Sequence, residues 1–203
     1  VVALLAAGCD WLEMGSRFAV ESRTRLVRSI DAVNDAQELA LESFRAGMRT
    51  IDTVFYGIGT PLEERRRALE RNFADVALAA GRIPRRIGEM ERQCARLQRI
   101  WTREIERYAD ETYRVHREVH LDRTRKTCDR TLDTMRGTDA RVQPLVRDYR
   151  RHLRGLRRDF SERALVEHRG AFRDLHPRMQ YATFALTDSI SAGNDLVDLL
   201  GDA

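Results

Sequence analysis

Lysine is nearly missing from this chain: of its 36 basic residues only Lys126 is not an arginine. Proline occurs four times, cysteine three times, and aromatic residues make up 7% of the sequence. With 33% charged residues, that shortage argues against a compact sheet protein and for long, exposed helices. Beyond Val1 to Gly8, no apolar run approaches the ~20 residues that a bilayer-spanning helix needs. Net charge is only +4, with acidic and basic residues interleaved throughout, so no nucleic-acid footprint is present. Motifs for chemistry are missing too. No glycine-rich phosphate loop follows a strand, and there is no G-x-S-x-G elbow. Neither H-E-x-x-H nor the E-x-x-H pair of di-iron bundles occurs. These absences lead to the expectation of a non-enzymatic protein with no cofactor.

What is present begins at the start of the chain. The run VVALLAAGC is apolar and ends in Ala6-Ala7-Gly8-Cys9, small side chains directly before a cysteine. It resembles the tail of a bacterial lipoprotein signal peptide, whose cysteine is lipidated and becomes the mature N-terminus. Residues 1–8 are therefore expected to be signal-peptide tail, and 9–203 the domain itself. The expected location is the bacterial cell envelope, on the periplasmic side, with Cys9 as the lipidation site. Asp10 resembles the residue that retains lipoproteins in an inner membrane; inner and outer membrane both stay open.

Hydrophobic periodicity follows a coiled-coil template over most of the length. Leu26, Ile30, Val33, Gln37, Ala40, Phe44, Gly47, Ile51 and Phe55 recur at spacings of four and three. The breaker Gly57-Ile58-Gly59-Thr60-Pro61 ends that stripe, with Thr60 expected to cap the next helix and Pro61 to open it. A second stripe runs from Leu69 through Ile83, Cys94 and Trp101 to Tyr108, about 60 Å at 1.5 Å per residue, with a kink expected at Pro84. Asp110 is a natural N-cap for a third helix. Leu121, Cys128, Leu132, Met135, Val142, Tyr149 and Leu156 mark its face, crowded by threonines and interrupted by Gly137 and Pro144. Ser161 opens a fourth segment whose face includes Leu165, Phe172, Leu186 and Leu200, with a bend at Pro177. The fold expected is all-α, an elongated antiparallel bundle of four long amphipathic helices. Its competitor is a three-helix rod in which the second and third segments are continuous.

Cys94 and Cys128 each lie 17 residues from Glu111, on the apolar stripes of their helices. An antiparallel hairpin turning there sets them at one height, making them candidates for a disulfide. The alternative is two buried free thiols acting as small apolar residues. His116 and His120, one helical turn apart, are weak candidates for a metal site, since two ligands do not complete one. The clusters Arg65-Arg66-Arg67, Arg85-Arg86, Arg150-Arg151 and Arg157-Arg158 sit beside acidic residues and lack interleaved aromatics.

Asp35-Ala36-Gln37-Glu38 followed by Phe44, Leu62-Glu63 after the glycine turn, and Trp101 with Glu104 and Tyr108 resemble one known family. Leu121 with Thr124 and Arg125, Met135-Arg136, and Pro144 with Tyr149 and Arg150 extend the match. The family is the bacterial lipoprotein family of domain of unknown function 2959. The resemblance implies a helical, lipid-anchored envelope protein and no particular activity.

Taken together, the sequence leads to a lipid-anchored helical scaffold or interaction module. Its partners would be the membrane, through acyl chains, and an envelope protein; a homo-oligomer is also open. The alternatives are a bundle binding metal or a small ligand near His116 and His120, and a membrane-shaping rod.

Overall fold

The computed structural model describes the backbone of residues 2–57 and 59–201, and side chains from Ala19 onward within them. It contains four helices: α1 (Val2–Tyr56), α2 (Leu62–Ile105), α3 (Glu111–Arg158) and α4 (Glu162–Gly201). They run up, down, up and down, each packed on its two neighbours around a ring, α4 closing onto α1. Short connections force this arrangement. The break at residues 106–110 rules out the three-helix rod, because α2 and α3 fold back on each other there.

The apolar stripes turn inward. All nine residues of the first stripe, from Leu26 to Phe55, are buried, and so are Val76, Ile83, Met90 and Leu97 of the second. Near the α1–α2 turn the core is aromatic. Phe55 and Phe172 stack at 4.8 Å, and Tyr149 meets Phe73 edge-on at 5.3 Å. Burying such rings supplies much of the drive for helix association.

The helix ends show how the chain is punctuated. Asp110 caps α3, its carboxylate accepting the Tyr113 N–H at 2.9 Å, and Ser161 does the same for Ala164 at the head of α4. Gly59 in the first turn has a φ of 81°, a left-handed conformation that side-chain-bearing residues avoid. Thr60 does not cap α2. Pro61 holds the N-cap position with extended backbone, and its carbonyl accepts from Glu64 and Arg65. Proline needs no N–H there, while Glu63 and Glu64 supply the negative charge that a helix start favours.

Gly137 and Pro144 do not interrupt α3, nor do Pro84 and Pro177 end α2 and α4. Residues flanking Pro144 are buried, among them Val142, Leu145 and Val146, and this packing outweighs the local cost of the missing N–H.

Polar groups fix how the helices are aligned. Tyr149 of α3 donates to Asn72 Oδ1 of α2 at 2.9 Å, and Asn72 Nδ2 donates to the Ser43 carbonyl of α1 at 3.1 Å. Three helices are tied through one buried amide. Between α1 and α4, Gln37 donates to Ser189 at 2.8 Å and Asn34 to Asn194 at 2.9 Å. A Cβ on Gly193 would lie 2.5 Å from Asn34 Oδ1, so any larger residue there would push the Asn34 amide out of this position. Thr131 and Thr138, one heptad apart on α3, donate to the Ala192 and Ala185 carbonyls of α4.

Candidate functional site

A cluster of polar and aromatic side chains lies at the α2–α3 end of the bundle. Cys94 and Cys128 face each other there from α2 and α3, both buried, with 2.9 Å between their sulfurs. Both are free thiols in the structure. The shared hydrogen bond with Cys128, reinforced by burial, pushes the Cys94 thiol far above its ordinary range, so Cys94 is not a ready thiolate.

About two turns nearer the tip, Trp101 of α2 stacks on His120 of α3 at 5.5 Å between ring centroids. Trp101 Nε1 and His120 Nε2 are both buried with no hydrogen-bond partner among the described residues. With Glu104, Ile105, Tyr108 and Arg117 they enclose a cavity of about 10 Å³, which is on the scale of one water molecule. Burial, followed by the positive charges of Arg117, Arg123 and His116, holds the His120 imidazole below its ordinary pKa. Tyr108 donates to Glu104 at 3.1 Å and meets Tyr113 edge-on at 4.7 Å, while the Arg117 guanidinium lies over the Tyr113 ring.

His116 and His120 are not brought into one site. His116 is exposed, whereas His120 turns inward onto Trp101. Among the described residues no group of three or more His, Cys, Asp or Glu is placed to hold a metal ion. Periodicity flagged His120 only as a neighbour of His116. Its pairing with Trp101 follows from the same antiparallel register that aligns the cysteines, since the members of each pair lie almost equally far from the α2–α3 turn.

Cys9, expected from the sequence to be lipidated, lies outside the residues whose side chains the structure describes. Many clustered arginines are engaged with protein groups. Arg65 bridges the Gly57 carbonyl in the first turn and Glu162 at the head of α4. Arg66 pairs with Glu63 and Glu70, Arg157 with Glu70, and Arg151 with Asp148. The Arg66 hydrogen bond is the largest influence holding the Glu63 carboxyl down to about 2. Arg150 lies over the Phe73 ring.

An open groove of about 600 Å³ lies between α3 and α4. Its floor is Gly137, Thr138 and Ala185, and Arg130, Arg141, Asp133 and Asp188 mark its rim. Mixed charge and small floor residues give it no nucleophile–base pair. No helix among the described residues is long and apolar enough to cross a membrane.

Fold and sites together define an up-down-up-down helical bundle whose polar groups serve mainly to align helices. The chain belongs to the family described as protein of unknown function DUF2959, whose model matches residues 12–200. No curated protein and no solved structure matches it.

Proposed function

We propose that this chain is a lipid-anchored, non-enzymatic scaffold or interaction module of the bacterial cell envelope. In this reading acyl chains on Cys9 hold it at the periplasmic side of a membrane and it works by presenting rigid helix faces. The observation that carries the reading is the pairing of a lipobox-like Ala6-Ala7-Gly8-Cys9 with the up-and-down topology. That topology sets the start of α1 at the same end as the α2–α3 turn. Acyl chains at that end would bring the turn to the membrane surface. Tyr113, Val115 and Val119 are exposed there, with Tyr108 half-buried beside them, and amphipathic aromatic rings favour the bilayer interface. Arg114 and Arg117 flank them and suit contact with anionic headgroups. At about 1.5 Å per residue the bundle then reaches roughly 60–70 Å from that surface. One acyl chain holds a protein only marginally, so stable attachment takes the several chains that lipoproteins carry.

Fractionation of cells carrying Cys9→Ala tests the anchor. The wild-type chain should sediment with membranes and the variant should move to the soluble fraction. Unchanged membrane association of the variant would refute the lipid anchor.

A further inference from the structure

The outward face of α4 has an aromatic centre, with arginines among acidic residues on one side and only acidic charge on the other. Tyr181 and Phe184, one turn apart at the middle of the helix, are 74% and 59% exposed. Towards the N-terminus the same exposed stripe carries Arg163, Arg169 and Arg173, of which Arg163 pairs with Glu167 at 3.0 Å and Arg169 lies over the Tyr56 ring, leaving Arg173 the least engaged. Towards the C-terminus it carries Asp188, Asp195 and Asp198, and no Arg or Lys occurs between Gln180 and Gly201. Those three aspartates form no ion pair among the described residues. The nearest carboxylate to Arg173 is its neighbour Asp174, at 4.0 Å and well exposed, an association of little energy. Phe184 and Tyr181 contribute nothing to the core, since α4 packs into the bundle through Phe172, Leu175, Met179 and Leu186 on its other side.

We infer that this face is a self-association surface, on which a second copy of the chain docks α4 against α4, antiparallel, about a two-fold axis at Phe184. Asp195 and Arg173 each lie 11 residues from Phe184, so the axis sets Arg173 of one copy opposite Asp195 of the other. Arg169 and Asp198 come within one residue of the same alignment. Every contact occurs twice, as a two-fold interface requires. A parallel arrangement would oppose arginine to arginine and aspartate to aspartate. An anionic membrane or nucleic acid would be repelled by the acidic half of the stripe. Antiparallel packing also sets opposite helix dipoles side by side.

The stripe from Arg169 to Asp198 is about 45 Å long and about 10 Å wide, at the small end of specific interfaces. The dimer is therefore of modest affinity, with a Kd on the order of 10 μM. In this dimer the two α2–α3 turns lie at opposite ends, so anchors on Cys9 would engage two facing membrane surfaces. The inference does not rest on the anchor, and the experiment is run without one.

Sedimentation equilibrium of the full chain carrying Cys9→Ser should show monomer and dimer in exchange up to about 300 μM, well above that Kd. Arg173→Asp and Asp195→Arg should each weaken the dimer about tenfold or more, and the two together should restore it to within about threefold. Thiol crosslinking fixes the axis. F184C should form a covalent dimer on mild oxidation. D198C should not, because the two copies of that position lie about 42 Å apart along the helices. All four positions are exposed, so the fold is retained, and circular dichroism checks this for each variant. A chain that stays monomeric, a dimer indifferent to both single charge reversals, or crosslinking by D198C as efficient as by F184C would overturn the inference.

Discussion

Gln143 of α3 donates from Nε2 to the main-chain carbonyl of Ala80 in α2 at 3.1 Å. Ala80 stands four residues before Pro84, so its carbonyl is the one left without a helical N–H by that proline. The same amide nitrogen lies 2.8 Å from Asp139 Oδ1, which orients it. A neighbouring helix thus meets the polar demand that a mid-helix proline creates, and α2 continues through residue 84.

Removing that donor has a calculable consequence. Gln143→Leu leaves a partly buried carbonyl unpaired and should cost about 1–2 kcal/mol in urea denaturation. In a Pro84→Ala background the restored N–H satisfies Ala80, and the same change should cost under about 0.5 kcal/mol. Equal costs in the two backgrounds would mean that the carbonyl is not what Gln143 serves.

Tyr149 should be among the least replaceable polar residues. Its ring is fully buried and burial pushes its hydroxyl well above the ordinary phenol range, so it acts as a donor at all workable pH. Tyr149→Phe keeps the contacts with Phe73 and Phe172 but strips Asn72 Oδ1 of its donor. A loss of about 1–3 kcal/mol is expected, with little change in helix content by circular dichroism.

Two threonines seven residues apart should respond differently to the same substitution. Thr131 donates to the Ala192 carbonyl, whereas the buried Thr124 hydroxyl has no partner among the described residues. Thr131→Val should destabilise by about 0.5–1.5 kcal/mol, while Thr124→Val should be neutral or stabilising. Thermal melts of the two single variants decide it.

Stability should fall as the solution is acidified below neutrality. Burial, first, and nearby positive charge hold His120 and His152 below the ordinary histidine value, so the folded chain keeps them neutral longer than the unfolded chain does. The unfolded state therefore takes up protons first. The stabilisation is complete above the ordinary value of about 6.5 and is lost progressively as pH drops through it towards the depressed folded values. Urea midpoints between pH 8 and pH 5 should decline accordingly. In His120→Phe, which keeps a ring against Trp101, the decline should be shallower; an unchanged slope would show that His120 contributes none of it.

The cysteine pair gives a fifth expectation, resting on the proposed envelope location. With oxidised glutathione present during refolding, Cys94 and Cys128 should close into a disulfide. The two thiols give up two protons and two electrons, and the oxidant leaves as two glutathione thiols. Enclosing about 35 residues, the bond should add roughly 3–4 kcal/mol if unstrained. Because the shared hydrogen bond and burial suppress the Cys94 thiolate, and both thiols are closed off from solvent, the folded, reduced chain should react far more slowly than the refolding one. Thiol titration on both, with Cys9→Ser to remove the third thiol, provides the check.

Local chemistry was enough to read four helices, their turns and most of their buried faces. Spacings of three and four place Leu26 through Phe55 on one side of α1 whatever lies against it, and Asp110 can satisfy the free N–H groups of α3 without any other helix. Which neighbour covers each face was decided only by the tertiary structure. Thr131 and Thr138 look like poor helix formers until α4 supplies the Ala192 and Ala185 carbonyls beside them. Gly137 and Pro144 look like breaks until the packing around them is counted. Trp101 finds His120, and Gln143 finds Ala80, only once α2 and α3 are set antiparallel in one register. Periodicity is a property of a single helix, fixed by 3.6 residues per turn. Partnership depends on the rotation and height of one helix against another, and that is settled by packing among all four at once.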